Sequence, residues 1–200
     1  MKIGPKYKIA RRLGSAVFEK TQSPKYLLSE QKKKKSFSRP PSIYGSQLIE
    51  KQKVRFTYGI TEGQLSNYVK KIIESNKKNP TELLYQMLET RLDSIILRAG
   101  YGKSRRHARQ IVSHGHVKIN DTRVTIPSYK ISKDMKIEIK ESSKTKTLFS
   151  DFEERFKDLQ IPAWIKVDPK LKNVTLVSIP TYNPRESHLD LQAVLQFYKR

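Results

Sequence analysis

Cysteine is absent from the 200 residues, which excludes a disulfide framework and any thiolate zinc site. Acid is scarce. The chain has 19 Asp and Glu against 41 Lys and Arg, a formal net charge of +22, and a field of that sign demands a polyanionic partner, nucleic acid before an anionic membrane surface. No apolar run approaches the roughly 18 residues of a membrane span, and the start, Met1-Lys-Ile-Gly-Pro, lacks a secretory signal's apolar stretch, so neither spanning nor secretion by that route is expected. Missing as well are a paired-carboxylate, a Ser-His-Asp and a Cys-His arrangement, so enzymatic machinery is not expected and no cofactor is implied.

Only 36% of the residues are hydrophobic, enough at this length for one or two small cores with part of the chain laid along something else. Residues 1–43, rich in Lys, Arg, Ser and Pro, read as a basic N-terminal arm that is largely disordered in isolation and folds onto RNA. Lys6, Arg11, Arg12 and the run Lys32-Lys33-Lys34-Lys35 are its candidate RNA contacts, and the basic character continues through Lys51, Lys53 and Arg55 without an acidic block.

From Gln64 the pattern is helical, with Leu65, Tyr68, Val69, Ile72 and Ile73 on one face. A second helix is expected from Thr81, read as its N-cap, carrying Leu83, Leu84, Met87 and Leu88, with a break near Glu89 to Leu92. Ser104 caps a predicted helix from Arg105 to His114, which Gly115 ends in the left-handed conformation. Strands follow: Val117 and Ile119 alternate with polar neighbours, Asn120-Asp121 is a turn signal, Val124 and Ile126 resume the alternation, and Ile137 and Ile139 mark another strand. This predicts an α+β fold: a helical body over 44–90, a small α+β RNA-binding module over 91–141, and a C-terminal region, 142–200, packing back on the body.

The most informative stretch is Lys103 to Lys118, with five Lys or Arg and no acid. On its helix Ala108, Ile111 and Val112 form an apolar arc, and Arg105, Arg106, Arg109 and Ser113 the adjoining one. Arginine suits that second arc because its planar fork grips phosphate bidentately and stacks on unpaired bases. Ser104 and the helix's first N–H groups are placed to hold a phosphate, and Arg105 with Arg109 to share another. Arg91, Arg98, Lys103, His114, His116, Lys118 and Asn120 complete the module's candidate contacts. His114 and His116 fall short of the three or four ligands zinc requires, so no metal is expected. Gly102-Lys103-Ser104 ends like a phosphate-binding loop, but the glycine such a loop needs falls at Leu97. Among the aromatics, Tyr44 and Tyr58, beside glycines, are the candidate base-stacking rings, with Gln47 near them.

Tyr44-Gly-Ser-Gln-Leu-Ile-Glu-Lys-Gln-Lys-Val-Arg, followed by Tyr58-Gly-Ile-Thr-Glu, resembles the most distinctive signature of the bacterial S-four family of small-subunit ribosomal proteins. Gly4-Pro-Lys-Tyr-Lys with Arg11-Arg12 resembles that family's opening, and Leu195-Gln-Phe-Tyr-Lys its ending. Arg91-Leu-Asp, Ala108-Arg-Gln-Ile-Val-Ser-His-Gly and Ile126-Pro-Ser-Tyr are similar to the RNA-binding module named after it, which tRNA synthetases, pseudouridine synthases and heat-shock proteins also carry. The resemblance implies a primary binder of the 5′ domain of small-subunit rRNA, active early in assembly and bearing on translational accuracy. It further implies contacts with small-subunit ribosomal protein five and with mRNA where it enters the subunit, and a cytoplasmic location on a bacterial or organellar ribosome. Many relatives hold zinc through N-terminal cysteines, and the absence of cysteine here leaves the arm to be ordered by RNA or by packing. Two other readings stay open at this point. One is an RNA-modifying enzyme, against which no separate catalytic domain accompanies Arg91-Leu-Asp, so that Asp93 reads as structural, pairing Arg91 or Arg98. The other is a stress-response binder of stalled ribosomes.

Overall fold

The computed structural model describes residues 3–14, 17–31, 40–144, 147–149, 152, 156, 159–169, 171–184 and 187–199. The chain forms two compact units: the first joins residues 1–84 to 182–200, and the second is 85–181.

In the first unit α1 (Lys6–Leu13) and α2 (Pro24–Gln31) are followed by the long α3 (Ile43–Tyr58), α4 (Glu62–Glu74), the start of α5 (Pro80–Glu89) and, from the other end of the chain, α8 (Leu191–Tyr198). Local chemistry sets these boundaries. The Ser42 hydroxyl accepts from the Gly45 N–H at the start of α3, and Gly59, at φ 60°, closes it. Beyond that glycine the Gly59 and Ile60 N–H groups reach back to the Phe56 and Arg55 carbonyls, the paired bonds by which a left-handed residue ends a helix. Thr61 and Gln64 then form a reciprocal capping box on α4. The expected cap at Thr81 is corrected: the helix begins at Pro80, whose fixed φ and missing N–H suit a first helical position.

The arm is more ordered than its composition implies. Ala10, Leu13, Phe18 and Thr21 are buried, the Tyr7 and Tyr26 rings stack at 5.2 Å, and Phe18 meets Phe56 edge-on at 5.9 Å. Periodicity understates this segment because a few apolar side chains suffice where α3 already offers a face to cover. Lys32 to Lys35 lie outside the described residues.

In the second unit α6 (Leu92–Arg98) and α7 (Arg105–Ser113) cover a sheet of five antiparallel strands, β1 (Val117–Ile119), β2 (Thr122–Arg123), β3 (Lys136–Ile139), β4 (Ile165–Asp168) and β5 (Asn173–Leu176), in the order β2-β1-β3-β5-β4. Asn120 and Asp121 both take positive φ, 44° and 66°, and make the tight turn joining β1 to β2, in which Ile119 faces Thr122. Val117 pairs with Ile139, Ile119 with Ile137 and Ile137 with Val174, so one face is apolar and meets Ile95, Ile96, Ala108, Ile111 and Val112. Tyr101, stacked on Phe152 at 4.5 Å, belongs to the same core.

The expected extents therefore change. Residues 142–181 share a compact unit with the 91–141 segment, and only 182–200 joins the helical unit. The reason is β3, whose second edge would be left with unpaired backbone groups were β5 not added to it.

Candidate nucleic-acid interface

The site is built on α7. The Ser104 hydroxyl accepts the His107 N–H at 3.2 Å, so the expected cap is present and this oxygen serves the helix rather than an external phosphate. Gly115 ends the helical stretch at φ 72°, its N–H donating to the Val112 carbonyl. Between these ends Ala108, Ile111 and Val112 are buried, while Arg106, Gln110, Ser113 and His114 are exposed.

Asp93 sorts the arginines. Its carboxylate is fully buried and accepts four N–H bonds: Arg91 Nε and Nη2 at 2.9 and 2.8 Å, and Arg109 Nε and Nη2 at 3.0 and 2.7 Å. Arg105 turns inward too, donating from Nη1 to the Ser94 hydroxyl at 2.7 Å. Arg98 grips the buried Glu89 carboxylate with bonds of 3.1 and 2.8 Å. The expectation that Arg105 and Arg109 share a phosphate is corrected here: Arg105 and Arg91 are buried, because a guanidinium with an apolar stem satisfies an internal acceptor as readily as an external one. The side chain of Arg109 keeps 29% of its surface exposed and stays at the rim. Asp93 pairs Arg91 as expected, but its second partner is Arg109, not Arg98.

Sequence-predicted contacts in the helical unit divide in the same way. Gln47, Lys51 and Tyr58 are buried and are corrected from surface to interior. The Gln47 amide donates to Gln196 Oε1 at 3.2 Å. The Lys51 ammonium donates to Glu62 at 2.8 Å and lies 4.3 Å from the Phe197 ring centre. Arg55 also reaches Glu62, at 3.3 Å, and the Tyr198 hydroxyl donates to it at 2.7 Å. Glu62 thereby ties the C-terminal helix to α3 and α4. Burial pushes the Glu62 carboxyl up, but the bonds from Lys51 and Tyr198 and the charges of Lys51 and Arg55 outweigh it and hold the group below its ordinary value. Lys53 pairs with Glu50 at 2.6 Å. Arg11 and Arg12 are exposed, Lys6 lies 5.6 Å over the Phe18 ring, and Tyr44 is half exposed with its ring 5.5 Å from Phe197.

On the module, Lys103 is exposed and Lys118 half-buried on β1. His116 sits 2.9 Å from the buried Ser143 hydroxyl through Nδ1, and the Asn120 amide oxygen accepts the Lys136 N–H at 3.1 Å. One exposed cation beside this helix escaped the sequence reading. Arg123 faces Lys118 across the turn and donates to the His114 carbonyl at 3.4 Å, its guanidinium against Gly115 where any Cβ would collide with it. Strand alternation beyond Asn120-Asp121 is the signal that could have found it.

The outcome is a face around α7 carrying Lys103, Arg106, Arg109, Ser113, His114 and Arg123. The two acids that precede the helix, Glu89 and Asp93, are buried, and the exposed Asp121 stands on the turn after β1. Such a face can hold phosphates on its exposed cations, with Arg109 already bonded on one side to Asp93.

The family described as "Ribosomal protein S4/S9 N-terminal domain" matches residues 1–89, and "S4 domain" matches residues 90–137. Curated relatives are similar over nearly the whole chain. Small ribosomal subunit protein uS4 of Borrelia duttonii is 37% identical over 98% of this chain and 96% of its own length. The protein of that name from Borrelia turicatae is 38% identical with the same coverage, and that from Aquifex aeolicus 35% identical over 99% of this chain and 98% of its own length. With two family domains in order and full-length relatives at this level, the chain belongs to the uS4 family of small-subunit ribosomal proteins.

Proposed function

We propose that this non-catalytic constituent of the small ribosomal subunit is a primary binder of the 5′ domain of small-subunit rRNA. In that role it nucleates assembly, touches small-subunit ribosomal protein five and borders the path by which mRNA enters, with consequences for accuracy. The observation that carries the reading is the segregation of charge on α7 itself, whose exposed side chains are basic or neutral while the acids that precede it, Glu89 and Asp93, are buried. A merely soluble helix would intersperse both signs. The contacts proposed for RNA are the exposed or rim residues Lys103, Arg106, Arg109, Ser113, His114, Lys118, Asn120 and Arg123 on the module and Arg11, Arg12 and Tyr44 on the other unit, together with the Lys32–Lys35 run, which lies outside the described residues.

Affinity for a 5′-domain rRNA transcript, measured at several salt concentrations beside transfer RNA and a scrambled transcript, tests this. The transcript should be preferred, and log affinity should fall with log salt by about 0.9 per phosphate neutralised, somewhat less for single strands. Equal affinity for transfer RNA would defeat the reading.

A further inference from the structure

A ring that serves RNA by stacking must be exposed on backbone that is already ordered, because ordering it on binding would offset what the contact returns. Tyr58 is buried and Tyr44 leans on Phe197. Tyr129 meets both conditions. It is 37% exposed, and among the described residues its ring meets no other aromatic ring.

The backbone beneath it is held at several points. The Tyr129 N–H donates to the Ile126 carbonyl at 3.1 Å, closing a turn, and that turn caps the start of α6: the Leu92 N–H donates to the Tyr129 carbonyl at 2.9 Å and the Asp93 N–H to the Pro127 carbonyl at 3.1 Å. One residue on, the Ile131 N–H donates to the Thr90 carbonyl at 2.9 Å, and Lys130 faces Arg91 in an antiparallel bridge. Two otherwise orphaned N–H groups of a helix therefore depend on this turn, which fixes its carbonyls inward and leaves Ile126 and Tyr129 at the surface. Cations stand beside it. Lys130 is exposed, and Arg109 is gripped by the side chain of Asp93, whose own N–H is bonded to the turn.

We infer that Tyr129 stacks on an unpaired RNA base, with Lys130 and Arg109 receiving the neighbouring phosphates. This rests on the RNA reading above and deepens it by naming the ligand class, a bulged or single-stranded nucleotide. Bases inside an A-form duplex have both faces covered, so a ring on a projecting turn has only an extruded base to stack on. Ile126 widens the apolar ledge, and the flanking cations suit a base, which always carries a phosphate on either side, better than an apolar protein surface.

The experiment uses the full chain, its Tyr129→Phe and Tyr129→Ala variants, the 5′-domain transcript and a fully paired RNA duplex, with folding checked by circular dichroism. Stacking by aromatic residues is worth enough that Tyr129→Ala should weaken transcript binding roughly tenfold to a hundredfold. The loss should be the same at every salt concentration, because stacking releases no counterions. Tyr129→Phe should stay within about twofold of the parent, and neither variant should alter duplex binding. Parental affinity of folded Tyr129→Ala for the transcript overturns the inference. So does a loss accompanied by a shallower salt slope, or a variant that binds RNA normally but no longer joins a neighbouring ribosomal protein in reconstituted particles. If the parent chain itself shows no preference for the transcript, the RNA assignment fails first; if it does and Tyr129→Ala matches it, this inference alone is lost.

Discussion

Replacing Asp93 by Ala should come close to unfolding the second unit. The carboxylate is fully buried and takes four N–H bonds from two arginines, and the Arg91 side chain is only 3% exposed. Once the acid is gone, Arg91 is a buried cation that cannot reach water. Removing one partner of such a pair costs about 3–5 kcal/mol. Arg109, at the rim, can turn outward and adds little. Against the roughly 5–15 kcal/mol that stabilises a small domain, the loss is about a fifth or more, and at about 4–8 °C per kcal/mol it lowers Tm by roughly 12–40 °C. The assay is urea unfolding followed by the fluorescence of Trp164, the chain's one tryptophan, which packs on the core of this unit. A second variant, Asp93→Leu with Arg91→Met, exchanges the pair for apolar groups and should recover a large part of the loss, because the cost lies in an unmatched charge and not in missing volume. An Asp93→Ala chain within about 1 kcal/mol of its parent would refute the argument.

The helical unit should lose stability below about pH 4.5, the ordinary value for the Glu62 carboxyl. With the folded value depressed, the stabilisation is present above that pH and disappears as pH falls through the folded value; Glu62→Gln should flatten the decline in thermal melts, by at most about 1 kcal/mol because the side chain is 43% exposed. Gly115→Ala should cost about 1–2 kcal/mol from its left-handed backbone, plus the collision with Arg123, and adding Arg123→Ala should restore only the second part in urea titrations. In a salt series with the 5′-domain transcript, Arg106→Ala should shallow the slope by nearly one unit, whereas Arg105→Ala should lower the urea midpoint and leave the slope of the folded protein in place. Deleting the chain after Leu189 removes the buried Leu191, Val194 and Leu195 and should lower the helical unit's melting temperature more than it lowers RNA affinity.

What could be read from the sequence is mainly what neighbouring residues decide. The Ser104 cap, the Gly115 terminator, the Asn120-Asp121 turn and the break between α5 and α6 each follow from residues close to one another in the chain. The partner of β3 does not. Val174 and Leu176 alternate as any half-buried strand would, and nothing beside them says whether they join a sheet begun far earlier in the chain or return to the helical body. The arm misleads in the other direction: Ala10, Leu13 and Phe18 are too sparse to announce a core, yet they suffice against α3.

The arginines show why composition could point to a basic stretch without saying which of them face outward. A helical wheel places Arg105, Arg106 and Arg109 on one arc, but an arc has two edges, and the one nearer α6 meets Ser94 and Asp93. Long stems let an arginine at that edge fold inward while its neighbour one residue on points to solvent. Charge counting cannot separate them, because the deciding residues, Ser94 and a buried aspartate, stand on the preceding helix, 11 positions before Arg105 and 16 before Arg109. Asp93 and Glu89 also account for the local imbalance: the acids expected somewhere near so many arginines are present, but beneath the surface, each holding guanidinium groups in place. The helix's exposed side chains are left basic or neutral by their burial, and the arginines that turn inward give rigid support to the helix that carries the outward-facing ones.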